Sequence, residues 1–311
     1  MSEKFAILFP GQGSQSVGML ADLLASSTVV QETFAEASAA LGYDLAALVL
    51  NGPEESLNQT DKTQPALLTS SVAIYRHWLS QGGAKPAVLA GHSLGEYSAL
   101  VCAGVLSLGD AVVLVEKRGQ YMQLAVPAGT GSMAAVIGLA DDLVAQACQS
   151  AAQGDVVAPV NFNSPGQVVI AGEKAAVERA SAACKEAGAR MVMPLAVSVP
   201  SHCALMKPAA EKLANDLNAI DFNIADINVI NNVDVATVTE QAQVKDALVR
   251  QLYSPVRWTE TVQHIAALGI TTTYEFGPGK VLSGLAKRID KSVSCVSVND
   301  VASVTAALAQ E

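Results

Sequence analysis

The stretch AVLAGHSLGEYSALVCA, Ala87–Ala103, decides the fold. Val88-Leu89-Ala90 is a short apolar run of buried-strand type, and Leu94 to Ala103 has helical length and composition with few breakers. A strand therefore enters a sharp turn and leaves as a helix. At the corner stands Ser93, between Gly91 and Gly95, in the G-x-S-x-G pattern of a nucleophile elbow. Glycines two residues either side remove side chains that would collide, so that Ser93 Oγ stands exposed on a strained turn. The helix that follows presents free backbone N–H groups where a tetrahedral oxyanion would form. The pattern alone is a modest signal, since a tight turn can carry an idle serine; the flanking strand and helix are the context that gives it weight.

Working outward, the 311 residues are half hydrophobic and only 15% charged, with mean hydropathy +0.32. That composition predicts a large α/β core with helices covering a sheet. No apolar run reaches the length of a membrane span, and MSEKFAILFPGQG is broken too early for a signal peptide, so a cytoplasmic protein is expected. The five cysteines are scattered without a CxxC pair, which argues for reduced thiols and against a disulfide or zinc framework. A formal charge of -10 excludes nucleic acid as the natural partner.

Before the elbow, Lys4 to Leu8 reads as a first strand running into Phe9-Pro10-Gly11-Gln12-Gly13-Ser14-Gln15. This loop lacks the lysine of a P-loop and the spacing of a dinucleotide fold. It is a plain turn or, as the loop after an early strand, a second source of oxyanion N–H groups, with Gln12 the candidate. Helical runs Val29–Leu41 and Pro65–Ser80 follow, giving a β-α-α-β order and a parallel sheet. His77 and Trp78 on the second run read as packing or surface residues.

After the elbow, Ser107 is a candidate N-cap for a helix from Leu108 to about Ala125. Stepping from Ala111 through Leu114, Val115 and Met122 puts Arg118 on the apolar face. An inward arginine is costly without an anion: either Glu96 pairs with it internally, or it holds a substrate carboxylate near Ser93.

Beyond the linker Pro127–Gly131 the texture changes to strand Ser132–Ile137, helix Asp141–Ala152, strands Val156–Asn163 and Gln167–Gly172, helix Lys174–Ala187 and strand Arg190–Leu195. This β-α-β-β-α-β order predicts a ferredoxin-like small domain, residues 129–196, inserted in a hydrolase-like catalytic domain made of residues 1–128 and 197–311. Asn161, Asn163 and Ser164 line a cleft or make a turn.

The chain returns through the loop Val197 to His202, ahead of a helix from about Leu205 to Ile220. His77 and His264 sit in helical runs and His92 is turned away by its place beside Ser93, so His202 is the candidate base; Cys203 has no elbow to hold it. No carboxylate between Ser93 and His202 suits a triad, and a backbone carbonyl could fix the imidazole tautomer instead. The last third reads as Asn228–Asn231, Gln241–Tyr253, Trp258–Leu268, Thr272–Phe276, the turn Gly277-Pro278-Gly279 and a helix to Ile289.

FPGQGSQ (Phe9–Gln15), TQPAL (Thr63–Leu67), GHSLGEYSAL (Gly91–Leu100), Arg118, NFNSPGQVVIAG (Asn161–Gly172), VPSH (Val199–His202) and GPGKVL (Gly277–Leu282) together resemble the bacterial malonyl-CoA:acyl carrier protein transacylases of fatty acid synthesis across essentially the whole chain. The resemblance implies that Ser93 is acylated and His202 is the base. It implies that the backbone N–H groups of Gln12 and Leu94 hold the oxyanion and that Arg118 pairs with the malonyl carboxylate. It also implies that a carbonyl near Gln251 orients His202, and that Asn163 lies close by. The implied partners are malonyl-CoA and holo acyl carrier protein, with a CoA thioester as substrate, no tightly bound cofactor, no metal and no membrane; a monomer is one of the assemblies left open. A serine hydrolase or thioesterase on the same elbow is the alternative. The carrier is acidic, so this acidic chain needs a local basic patch, for which Lys280, Lys287 and Arg288 are candidates. Ser201 occupies a position where related malonyl-selective polyketide acyltransferases often have Phe, which leaves room for a larger acyl group.

Overall fold

The computed structural model describes residues 4–196 and 199–310. Its first strand β1 (Phe5–Phe9) is followed by five helices, α1 (Ala21–Ser26), α2 (Thr28–Leu41), α3 (Leu45–Asn51), α4 (Glu54–Leu57) and α5 (Thr60–Ser80), before β2 (Val88–Gly91). The two helices expected in this interval are α2 and α5; the other three are too short to show a periodicity. Helix α5 starts five residues before Pro65, the predicted start. Pro65 is the sixth residue of the helix and gives no N–H to the Asp61 carbonyl, yet α5 runs on through it, buried along most of its length.

Helices α6 (Gly95–Cys102) and α7 (Leu108–Ala125) follow the elbow, and the Ser107 hydroxyl caps α7 by accepting from Asp110 N–H. Then come β3 (Gly131–Ile137), α8 (Asp141–Ala152), β4 (Val157–Ser164), β5 (Gln167–Glu173), α9 (Lys174–Glu186) and β6 (Met191–Pro194), in the expected order. After a 3-10 turn at Ala204–Met206 come α10 (Lys207–Asn218), β7 (Asn228–Ile230), α11 (Gln241–Gln251), α12 (Trp258–Ala267), β8 (Thr272–Phe276), α13 (Val281–Ile289), β9 (Ser294–Val298) and α14 (Val301–Leu308). Strand β9 and helix α14 were not expected.

The strands form two sheets. One is parallel, in the order β7-β2-β1-β8-β9; the other is antiparallel, in the order β4-β5-β3-β6. The second order is that of a ferredoxin-like unit, with the hairpin β4–β5 between its two βα crossovers. The central parallel strands β1, β2 and β8 are buried on both faces. Phe5, Ile7 and Phe9 pack into the larger cluster with α2, α5, α6 and α7, while Ala6, Leu8, Val88 and Ala90 pack with α12 and α13 on the other side. Trp78, fully buried, meets Phe276 edge-on at 5.5 Å and Tyr274 at 5.7 Å, contacts worth about 0.5–1.5 kcal/mol each beyond their area. Trp78 is thus a core residue, while His77, read as a packing or surface residue, has a polar partner, its Nδ1 lying 2.9 Å from Ser27 Oγ.

The antiparallel sheet packs one face on α8 and α9 through Val136, Val168 and Ile170. Its other face, with Met133, Ala135 and Val169, packs on Cys203 and Leu205, next to His202. Strand β4 is also pinned to the chain before α12, by Phe162 N–H on Val256 O (3.0 Å) and Val256 N–H on Val160 O (2.8 Å). The small sheet therefore forms a wall beside the carboxyl edge of the parallel sheet, where clefts of open α/β folds lie.

Candidate active site

Strand β2 ends at Gly91 and α6 begins at Gly95, and between them Ser93 takes φ 52. The two glycines are there for space. A Cβ on Gly91 would fall 1.9 Å from the Gly95 carbonyl carbon, and one on Gly95 would fall 2.1 Å from the Phe9 carbonyl oxygen. The left-handed corner at a serine is costly and persists because its surroundings hold it. Asn232 Oδ1 accepts the Ser93 N–H at 2.7 Å, and Gln251 Nε2 donates to the Ser93 carbonyl at 3.1 Å.

His202 Nε2 lies 2.8 Å from Ser93 Oγ. Its Nδ1 lies 2.7 Å from the Gln251 backbone carbonyl, which can only accept, so Nδ1 carries the hydrogen and Nε2 is the free base. His202 is itself left-handed, φ 64, with its N–H on Leu252 O at 3.0 Å. The end of α11 thereby fixes both the backbone and the ring of the base. Burial first, then the Arg118 charge, push the His202 pKa down to about 3, against the pull of the Gln251 carbonyl. The imidazole is neutral and ready to accept a proton at any ordinary pH.

Arg118, 1% exposed, reaches inward from α7 as its helical position predicts. Its Nη1 donates to Gln64 Oε1 at 2.8 Å, and its Nη2 to Gln251 Oε1 at 3.1 Å and to Ser93 Oγ at 3.3 Å. Its Nε has no acceptor among the described residues, and its charge sits 5.5 Å from the centre of the Tyr97 ring. Burial lowers its pKa, opposed by Tyr97 and Glu96. Arg118 and Glu96 make no direct ion pair; the Gln251 amide stands between them. A buried guanidinium whose neighbours are neutral amides is an incomplete site, and a carboxylate is the group that completes it.

Gln12, Thr60, His92, Ser93, Leu94, Arg118, Met133, Asn161, Ser201 and His202 all line a cavity of about 300 Å³. Among the described residues neither the Gln12 nor the Leu94 backbone N–H has a protein acceptor. His92 is turned away as expected, its Nε2 2.8 Å from Asn163 Oδ1 and its ring against Trp258. Asn163 thus reaches the site through His92, and it is Asn161 that lines the cavity. Cys203 points back to the Pro200 carbonyl at 3.2 Å, and burial pushes its thiol up to about 11. Val197 and Ser198 of the predicted return loop lie outside the described residues.

Sequence reasoning missed Gln64 and Asn232. Asn232 follows a short apolar strand at the carboxyl edge of a parallel sheet, a position that marks clefts. Gln64 is a polar residue inside a helix buried almost all round, which leaves no room for an unpartnered amide.

The family model described as acyl transferase domain matches residues 6–306. The chain is 64% identical over 305 residues to the malonyl CoA-acyl carrier protein transacylase of Escherichia coli K12, covering 98% of this chain and 99% of the relative, and 46% identical to that of Bacillus subtilis 168, covering 98% and 96%. A crystal structure of an acyl carrier protein S-malonyltransferase from Vibrio cholerae superposes with TM-score 0.97 at 66% identity, over 98% of this chain and 100% of the other. A malonyl-transacylase in complex with its type II PKS acyl-carrier protein superposes with TM-score 0.98 at 60% identity, over 99% and 100%. With a match spanning nearly its whole length and the serine elbow in place, the chain belongs to the acyl transferase domain family, among the bacterial malonyl-CoA:acyl carrier protein transacylases.

Proposed function

We propose that this enzyme moves a malonyl group from malonyl-CoA to the phosphopantetheine thiol of acyl carrier protein, for fatty acid synthesis, through a malonyl ester on Ser93. The observation that carries the reading is a serine hydroxyl 2.8 Å from a neutral histidine nitrogen and 3.3 Å from a buried arginine. Ser93 Oγ attacks the thioester carbonyl while His202 Nε2 takes its proton. The Gln12 and Leu94 N–H groups hold the oxyanion, and its collapse expels CoA as a thiolate that takes the proton from His202. The carrier thiol then gives its proton to His202 and attacks the ester carbonyl, and Ser93 Oγ leaves and recovers that proton. Arg118 holds the free carboxylate through both halves, so the acyl group stays in place while the thiols exchange. The Gln251 carbonyl does the orienting that a third acid does elsewhere, and Asn163 steadies the elbow through His92. The same reading divides the chain into a catalytic unit of residues 1–128 and 197–311 and a small unit of residues 129–196, and places the enzyme in the cytoplasm as a monomer without a tightly bound cofactor.

Intact mass spectrometry tests it. Brief exposure to malonyl-CoA is expected to add one malonyl group to the wild type and none to Ser93→Ala, and the adduct is expected to persist in water and move to holo carrier protein on its addition. An adduct that hydrolyses without waiting for the thiol would make the enzyme a thioesterase.

A further inference from the structure

Glu96 stands in the first turn of α6, three residues after the nucleophile, and is 2% exposed. Its Oε2 accepts from the Asn232 backbone N–H at 2.9 Å and from Gln251 Nε2 at 2.8 Å. The mechanism above gives this buried acid no task, and a buried carboxylate held only by neutral donors is costly unless its charge is used.

Its use follows from the chemistry of the amide between it and Arg118. A glutamine side chain has an acceptor end and a donor end, and its neighbours decide which way it faces. An ionised carboxylate only accepts and a guanidinium only donates. Between the two, Gln251 has one orientation: Oε1 on Arg118 Nη2, and Nε2 divided between Glu96 Oε2 and the Ser93 carbonyl. The Gln251 amide therefore ties three things together: the guanidinium, the corner carrying the nucleophile, and the buried negative charge. Arg118 and the Ser93 carbonyl already decide which end of the amide faces where; the Glu96 carboxylate adds a charge-assisted acceptor on Nε2. Without its charge Nε2 is held mainly by the longer bond to the Ser93 carbonyl, so the amide that aims the fork is held less firmly.

We propose that Glu96 is a positioning residue for acyl-group selectivity: through the Gln251 amide it fixes the Arg118 guanidinium beside Ser93 and so favours acyl groups that end in a carboxylate. The inference rests on the malonyl-transfer reading. A role confined to bracing the elbow would slow every acyl donor equally, whereas this one slows carboxylated donors selectively. Burial raises the Glu96 pKa to about 7 against the opposing pull of Gln251, Asn232 and Arg118, so its charge is present above that pH and lost below it, and the comparison of donors belongs at about pH 8.

The test measures the rate of Ser93 acylation by malonyl-CoA and by acetyl-CoA, by rapid quench and intact mass, on wild type, Glu96→Gln, Arg118→Ala and the double variant. Glu96→Gln is expected to lower the malonyl-to-acetyl ratio by about tenfold or more. In the Arg118→Ala background it should change that ratio less than about twofold, the signature of two residues acting as one unit. Gln251→Leu keeps the backbone carbonyl that holds His202; it is expected to lower the ratio similarly and supplies the measurement if Glu96→Gln does not fold. An unchanged ratio, equal slowing with both donors, or a loss that adds fully to that of Arg118→Ala overturns the proposal. A wild type with no preference for malonyl overturns the functional reading instead.

Discussion

His202 and Arg118 are both buried bases near one serine, yet burial acts on them differently. For the histidine, desolvation and the neighbouring guanidinium both oppose protonation, so the ring stays neutral far into acid. For the arginine, the same burial lowers a pKa that starts far higher, and the charge remains. This difference has a kinetic consequence. Acylation of the free enzyme by acetyl-CoA, a donor with no charge to place on Arg118, is expected to keep a constant rate from pH 8 down to about 5, because His202 does not take up a proton in that range. A rate that halves near pH 6.5 would show an ordinary imidazole and overturn this account. The residues that could be read in advance were those with a local signature: Ser93 between two glycines, His202 by elimination among four histidines, Arg118 by its place on an apolar stripe. Gln64 and Asn232 have no such signature, since each matters only for what it meets across the fold.

At the scale of elements, the elbow is a packing problem between β1, β2 and α6. Helix α6 runs so close to the end of β1 that only hydrogen fits at Gly95. Gly95→Ala is therefore expected to force the helix away from the Phe9 carbonyl, lowering the melting temperature by roughly 5 °C and slowing malonyl loading with it. An unchanged melting temperature with normal loading would show that the strand and helix separate freely. The same close approach explains why the strand-turn-helix reading of Ala87–Ala103 was reliable: the glycines are required by local geometry. Strand β9 escaped because its sequence, Ser294-Cys295-Val296-Ser297-Val298, is half exposed at the sheet edge and shows no buried run. On helix α13, Glu275 at the end of β8 accepts the Leu282 and Ser283 N–H groups, a cap supplied from six or more residues before the helix that no local motif announces.

On the scale of the whole molecule, a chain of charge -10 has to receive an acidic carrier. Lys280, Lys287 and Arg288 are exposed on and beside α13. The turn before that helix touches the loop lining the active site, since a Cβ on Gly279 would come within 3.6 Å of Ser14. Reversing these three charges to Glu is expected to raise the KM for holo carrier protein about tenfold or more at low salt while leaving loading from malonyl-CoA near the wild-type rate. Unchanged carrier kinetics would move the docking face elsewhere. What the sequence by itself determined is the fold class, the element order of the ferredoxin-like unit, the serine elbow, the candidate base and the inward arginine, because glycine spacing, helical periodicity and strand order are short-range properties. Only the tertiary structure decided that the carbonyl on His202 Nδ1 is that of Gln251 itself, that Asn232 and Gln251 hold the strained serine from both sides, and that Glu96 faces Arg118 across an amide. These contacts join residues from 49 to 158 positions apart, and a buried polar group finds its partner only when the packing of the whole chain brings one within reach.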